Sequence, residues 1–139
     1  MNAPLYTTEI LRLAASLPAP EQFDRVDGSA ALRSPTCGSR MQSEVKLQDG
    51  QVAALSQTVL ACAFGQASAA LVAAQAAGRT RADVEYALAQ LSAWLSGQSE
   101  TIPDWPGFES LAPARSRTGR HGAILLPLRT LLAAIDSAE

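Results

Sequence analysis

Cysteine and histidine are scarce in this chain. Its 139 residues contain two cysteines, Cys37 and Cys62, and one histidine, His121. The cysteines have no CxxC spacing, so on their own they are a weak metal signal. With a single histidine, any Ser-His-Asp scheme would have to use His121, and no nucleophile elbow accompanies it. There is no phosphate loop and no dinucleotide fingerprint. Nor is there an apolar run near the roughly 18 residues needed to span a bilayer. Internal repeats and low-complexity segments are also missing. The net charge is −2 and the basic residues are scattered, whereas a nucleic-acid binder concentrates them on one face.

What remains is the composition of a soluble globular protein, 47% apolar and 17% charged, with Ala supplying much of the apolar content. The length suits one domain spanning 1–139. The N-terminal stretch "MNAPLYTTEILRLAASLPAP" carries Glu9 and Arg12 within its apolar part and no basic segment before it. It therefore reads as an amphipathic helix rather than a secretory signal. Two cysteines without an export signal point to a reducing compartment, the cytoplasm. There, thiols serve as metal ligands, reactive groups or core residues more often than as a structural disulfide.

Residues from about Thr7 to Leu17 read as a first helix, with Ile10, Leu11 and Ala14 as its apolar stripe. "PAPEQFDRVDG" breaks it with two prolines and a glycine. "SAALR" is a candidate short strand. "MQSEVKL" alternates, with Met41, Ser43, Val45 and Leu47 on one face, which marks a half-buried strand. Asp49-Gly50 is a hairpin turn signal, and "VAALSQTVL" supplies the returning strand. The Ala-rich stretch from Phe64 reads as a helix closing on Gly78. Thr80 is a candidate N-cap for a second helix carrying Val84, Leu88, Leu91 and Leu95. "QSETIPDWPGFES" reads as a loop. A last helix after "ARSRTGRHG" carries Ile124, Leu128, Leu131 and Ile135, with Pro127 acceptable if it falls in the first turn. This order predicts an α+β fold.

Cys37 falls in a Pro-Thr-Cys-Gly turn ahead of the alternating strand, and Cys62 just before the Ala-rich helix. A helix N-terminus favours a thiolate, and Arg40 would add to that effect near Cys37. The alternative is that both cysteines are inert, since free cysteine is among the most buried residue types.

The segments "SPTCGSRMQSEVKL", "DGQVAALSQTVLACAFGQASAALVAAQAAGRT" and "GRHGAILLPLRTLLAAI" carry a resemblance. From Leu5 to Ile135 the chain resembles the U-type iron–sulfur cluster scaffold family: NifU N-terminal domains, IscU and SufU. That family has a Cys-Gly turn before the alternating strand. A second cysteine precedes a small-residue helix closing on Gly-Lys-Thr or Gly-Arg-Thr. Here the matching residues are Cys37-Gly38, Ala61-Cys62 and Gly78-Arg79-Thr80.

The resemblance implies a small antiparallel sheet of about three strands with helices packed on one face. It also implies a carrier rather than an enzyme. Such a protein receives sulfur from a cysteine desulfurase and iron from the cell, holds a nascent 2Fe–2S cluster, and passes it to acceptor proteins. Cys37 and Cys62 would be the thiolate ligands. The family's third cysteine is missing: Ala123 occupies its place, or Gly122 with a one-residue slip. Ser39 stands where the family has Asp. His121, beside the lost cysteine, is the candidate substitute ligand for iron or zinc, and its alternative is a solvated residue of an Arg-rich loop. A reduced ligand set implies a labile cluster, a single zinc, or a protein that emerges largely empty.

A second reading keeps the fold as an interaction or zinc-binding module without cluster assembly. A third, a thiol enzyme transferring sulfur, would need His121 as its base. Arg115, Arg117, Arg120 and Arg129 are candidate contacts for an acidic partner such as the desulfurase, or else a solvated basic loop. Trp94, Trp105 and Asp104 read as packing over the core edge rather than as a ligand platform. A homodimer stays open.

Overall fold

A computed structural model describes residues 6–35 and 38–138. Its elements run α1 (Thr8–Ala15), β1 (Gly28–Arg33), β2 (Arg40–Gln48), β3 (Gln51–Leu60), α2 (Ala63–Gln75), α3 (Arg81–Leu95) and α4 (His121–Ser137). Two 3₁₀ segments, Phe108–Ser116 and Thr118–Arg120, lie between α3 and α4. The architecture is α+β, as expected.

The sheet is an antiparallel meander in the order β1-β2-β3. Its second turn is the predicted Asp49-Gly50 pair. Both residues have positive φ, 54° and 78°, and Gln48 pairs with Gln51 across them. That is the two-residue turn whose twist matches the flanking strands. A bulge follows: Lys46 pairs with Ala54 and Leu47 with Val52, leaving Ala53 as the extra residue. The alternation of β2 holds through the strand. Met41, Ser43 and Val45 are buried against the helices, while Arg40 and Gln42 are exposed on the other face.

The helices pack on that inner face. α4 lies on β1 and β2, α2 on β3, α1 on α2, and α3 on α4. Local chemistry starts two of them. Thr7 caps α1 by accepting from the Ile10 N–H at 3.1 Å. Thr80 and Asp83 form a reciprocal capping box at α3, with bonds of 3.0 and 3.1 Å. One core unites the layers, with Phe64, Leu91, Trp105, Phe108, Ile124 and Leu128 fully or almost fully buried.

Two sequence expectations need correction. The stretch after Trp105 is not a plain loop. Phe108, Leu111 and Ala114 are buried at spacings of three, which matches the three-residue turn of a 3₁₀ helix. Pro127 also falls outside the first turn of α4, because the helix already starts at His121. Proline has no N–H to donate to the carbonyl of Ala123, four residues back. Side-chain hydroxyls bond neighbouring carbonyls in this stretch: Ser68 donates to Ile124 O at 2.6 Å and Thr130 to Leu126 O at 2.7 Å.

The outer face of the sheet is half covered. The segment between α1 and β1 crosses it as a strap. Ser56 Oγ accepts from Glu21 N–H at 2.8 Å and donates to Glu21 O at 2.9 Å. Lys46 pairs with Asp24 at 2.7 Å and lies 5.0 Å from the Phe23 ring centre. Asp27 Oδ2 accepts the Leu47 N–H at 2.7 Å, which anchors the strap where β1 begins. The rest of that face, toward Arg33, Arg40 and Leu60, lies open.

Candidate metal-binding end of the sheet

Cys62 is the N-cap residue of α2, with extended backbone (φ −67°, ψ 173°) and no side-chain capping bond. It is partly exposed, and it is the free cysteine among the described residues. Its position follows from register: Arg40 pairs with Leu60, so β3 delivers the chain into α2 at the same end of the sheet as the β1–β2 loop.

Cys37 lies outside the described residues, and so does its expected role beside Cys62 as a thiolate ligand. The flanks of its loop are described. Ser34 N–H donates to Ser39 O at 2.8 Å and Gly38 N–H to Ser34 O at 3.3 Å, while Arg33 pairs with Arg40. Gly38 has φ 72°, a conformation that suits glycine. Ser39, where the family has Asp, is 4% exposed and packed into the structure. The loop's described ends therefore stand at the Cys62 end of the sheet.

The N-termini of α2 and α4 meet at this end. A Cβ on Gly65 would stand 2.7 Å from Ala61 Cβ and 3.4 Å from Ala123 Cβ. Ala123, the ungapped counterpart of the missing third cysteine, therefore packs against the first turn of α2, the turn that Cys62 precedes, and is 1% exposed. Its methyl group packs where a third ligand would be expected.

His121 is the first residue of α4 and partly buried. Its Nε2 lies 2.9 Å from Ala114 O and 3.1 Å from Arg115 O. A carbonyl oxygen only accepts, so Nε2 carries the hydrogen and a neutral ring keeps its lone pair on Nδ1. The imidazole thus ties the start of α4 to the preceding 3₁₀ segment, and only Nδ1 remains for a metal. Among the described residues, no three His, Cys, Asp or Glu side chains cluster closely enough to hold a metal ion.

Arg115, Trp94, Trp105 and Asp104 have other employment. Arg115 pairs with Glu100 at 3.0 Å, donates to Trp94 O at 2.8 Å, and lies over the Trp94 ring. Its ion pair lowers the Glu100 carboxyl and raises the Arg115 guanidinium pKa. Arg115 is therefore a fastener for the end of α3 rather than a free contact. Trp105 goes deeper than the core edge. It is 1% exposed, its Nε1 donates to Leu71 O at 2.8 Å, and Arg79 lies 4.4 Å above its ring. Asp104 is held through its N–H by Gln90.

Sequence reasoning missed Arg33 and Arg40 as a pair. Their symmetric placement around the Pro-Thr-Cys-Gly turn was the available signal, but only the strand register makes them partners.

The three-stranded meander with helices on one face is an α+β fold of the NifU-N/IscU-like kind, and Cys62 stands at the N-cap position of the helix that follows the sheet. Solved structures agree. The nitrogen-fixing NifU-like protein (N-terminal) from Brucella abortus superposes with a TM-score of 0.89 at 26% identity, covering 96% of this chain and 94% of that one. The protein FiSufU of thermophilic Fervidobacterium islandicum AW-1, assigned as an iron–sulfur cluster assembly scaffold for the SUF system, gives 0.83 at 17% identity over 94% and 96%. At that lower identity the likeness is one of fold. Fold and neighbours together support the NifU/IscU/SufU-like family for this chain, as the sequence resemblance implies. No protein-family model matches the chain, and no curated protein sequence matches it. No helix among the described residues is long and apolar enough to cross a membrane.

Proposed function

We propose that this protein is an iron–sulfur cluster assembly scaffold of reduced ligand set, a carrier rather than an enzyme. Its cargo is a 2Fe–2S cluster, or a single iron or zinc ion. Cys62 and Cys37 supply thiolates and His121 supplies Nδ1. Sulfur comes from a cysteine desulfurase, and the cargo leaves to acceptor proteins. The observation that carries this reading is the full-length likeness to the NifU-like protein of Brucella abortus, with Cys62 held at the N-terminus of α2. Backbone N–H groups at a helix start favour an anionic group, and a thiolate bound to metal is one.

Ala123 and Ser39 replace a thiolate and a carboxylate, so affinity falls well below that of a three-cysteine site. The purified protein emerges largely empty, or holds a cluster that fades in air. The test is anaerobic reconstitution with ferrous iron and sulfide, read by visible absorbance and by iron, sulfide and zinc content. A cluster lost on Cys62→Ala supports the scaffold. Stoichiometric, chelator-resistant metal in the unmodified protein contradicts the weakened site.

A second reading is a scaffold fold retained as an interaction or zinc-binding module. The bonds from His121 Nε2 to the carbonyls of Ala114 and Arg115 favour it, because they give the imidazole a structural task. Zinc content without any cluster after reconstitution would select it.

A further inference from the structure

Arg33 and Arg40 face each other across β1 and β2 as a directly opposed pair. Like charges at that position oppose each other and destabilise a hairpin. Neither guanidinium has an ion pair or a side-chain hydrogen bond among the described residues. By contrast, Arg25, Lys46, Arg81 and Arg115 each have a carboxylate. The opposed pair borders a groove of about 370 Å³ on the open part of the outer face. Ala31, Gln42 and Thr58 line it, and Leu32 and Leu60 are 37% and 57% exposed beside it. Among the described residues, no acidic side chain lines it. Glu44, the nearest acid along β2 on the same face, is four residues from Arg40, about 13 Å along a strand.

We infer that this groove docks an acidic, apolar-bearing extended segment of a partner protein, with its carboxylates on Arg33 and Arg40 and an apolar side chain against Leu60. Charge complementarity selects the occupant: two facing guanidiniums, without a carboxylate among the described residues, suit carboxylates that they can bind bidentately. The exposed apolar side chains select a peptide over a free inorganic anion. The protein's net charge of −2 makes this a local cationic site rather than a nucleic-acid surface. The strap explains why it is confined to one end, since Glu21 and Asp24 cover the other half of the face. The groove adjoins the Cys62 end because Leu60 is two residues from Cys62. A docked partner would stand beside that end, yet the inference does not depend on metal being bound there.

The test uses the full chain and a fluorescein-labelled ten-residue peptide of alternating Glu and Leu, read by fluorescence anisotropy at low salt. Control probes are a Glu/Ser peptide, a Lys/Leu peptide and a labelled single-stranded oligonucleotide. The Glu/Leu peptide is expected to bind, with at least about tenfold loss in the double variant Arg33→Glu, Arg40→Glu and a smaller loss in Leu60→Ser. Arg12→Glu, which changes an exposed arginine of α1, should leave binding unchanged. The single variant Arg33→Glu creates an opposite-charge pair and should fold at least as stably, so lost binding there is not lost folding. Three results would overturn the inference: no binding of the Glu/Leu peptide to the unmodified chain, equal loss in Arg12→Glu, or oligonucleotide binding that depends on Arg33 and Arg40.

Discussion

The imidazole of His121 and the carbonyl of Ala114 are hydrogen-bonded, Nε2 to O, at 2.9 Å. This bond selects one tautomer and one role for the ring. Nitrogen-15 spectra of labelled protein should show the neutral ring with its proton on Nε2 and none on Nδ1. Adding Zn²⁺ or ferrous iron should shift Nδ1 and leave the Nε2 proton in place. A protonated Nδ1 in the metal-free protein would remove His121 from the ligand set.

Cys62 occupies an N-cap position without capping α2. Serine is among the better N-cap residues, so Cys62→Ser should stabilise the protein by up to about 1 kcal/mol. That corresponds to a Tm gain of roughly 2–4 °C. The same variant should lose reconstituted cluster. Calorimetry and iron content thus move in opposite directions, which separates the thiol's chemistry from its packing.

Ala123 faces Gly65 in the first turn of α2. The double variant Ala123→Cys, Ser39→Asp should retain more iron or zinc through gel filtration than the unmodified protein, while Gly122→Cys should not. The added sulfur enters a close-packed seam and should cost about 1 kcal/mol. If no repaired variant retains metal, the pocket differs from a scaffold's beyond its missing ligands.

Two glycines allow helices to approach the rest of the fold. A Cβ on Gly28 would overlap the backbone carbonyl of Ala134, whereas one on Gly65 would meet the methyl of Ala61 at 2.7 Å. A backbone oxygen in the body of α4 cannot move alone. Gly28→Ala should therefore cost more than Gly65→Ala in denaturant unfolding, about 3 against about 1 kcal/mol. Equal costs would mean α4 can slide on β1.

The Leu47 N–H, followed by Arg25 and Lys46, holds the Asp27 carboxyl below the usual carboxylate range. A depressed folded-state pKa adds stability that is present above the unfolded value near 3.8 and lost as pH falls through the folded one. Acid melting should therefore begin below about pH 4 and include loosening of the strap. Asp27→Asn should flatten the fall in Tm over that range. An unchanged acid slope would show that Asp27 does not anchor the strap.

Local features were legible because their physics is local. The β2 alternation, the Asp49-Gly50 turn and the Thr80 cap each depend on residues within a few positions, and all three stand as read. The 3₁₀ segment was not legible. Pro103, Pro106 and polar neighbours make "QSETIPDWPGFES" read as loop, and only burial of Phe108, Leu111 and Ala114 against the core stabilises the tight turns that begin at Phe108. The start of α4 was hidden for the same reason, because His121 is fixed there by carbonyls six and seven residues back.

The sequence by itself determined the α+β order and the hairpin, and it named Cys37, Cys62 and His121 as the candidate ligands. It also showed two cysteines, with Ala123 or Gly122 where the resembled family has a third, since that is a matter of which residue occupies a position. Only the tertiary structure decided which nitrogen of His121 is engaged, that Ala123 closes onto Gly65, and that Arg33 and Arg40 stand face to face without a carboxylate among the described residues. Those facts depend on strand register and helix contact between residues far apart in the chain, and no periodicity of 2 or 3.6 encodes them.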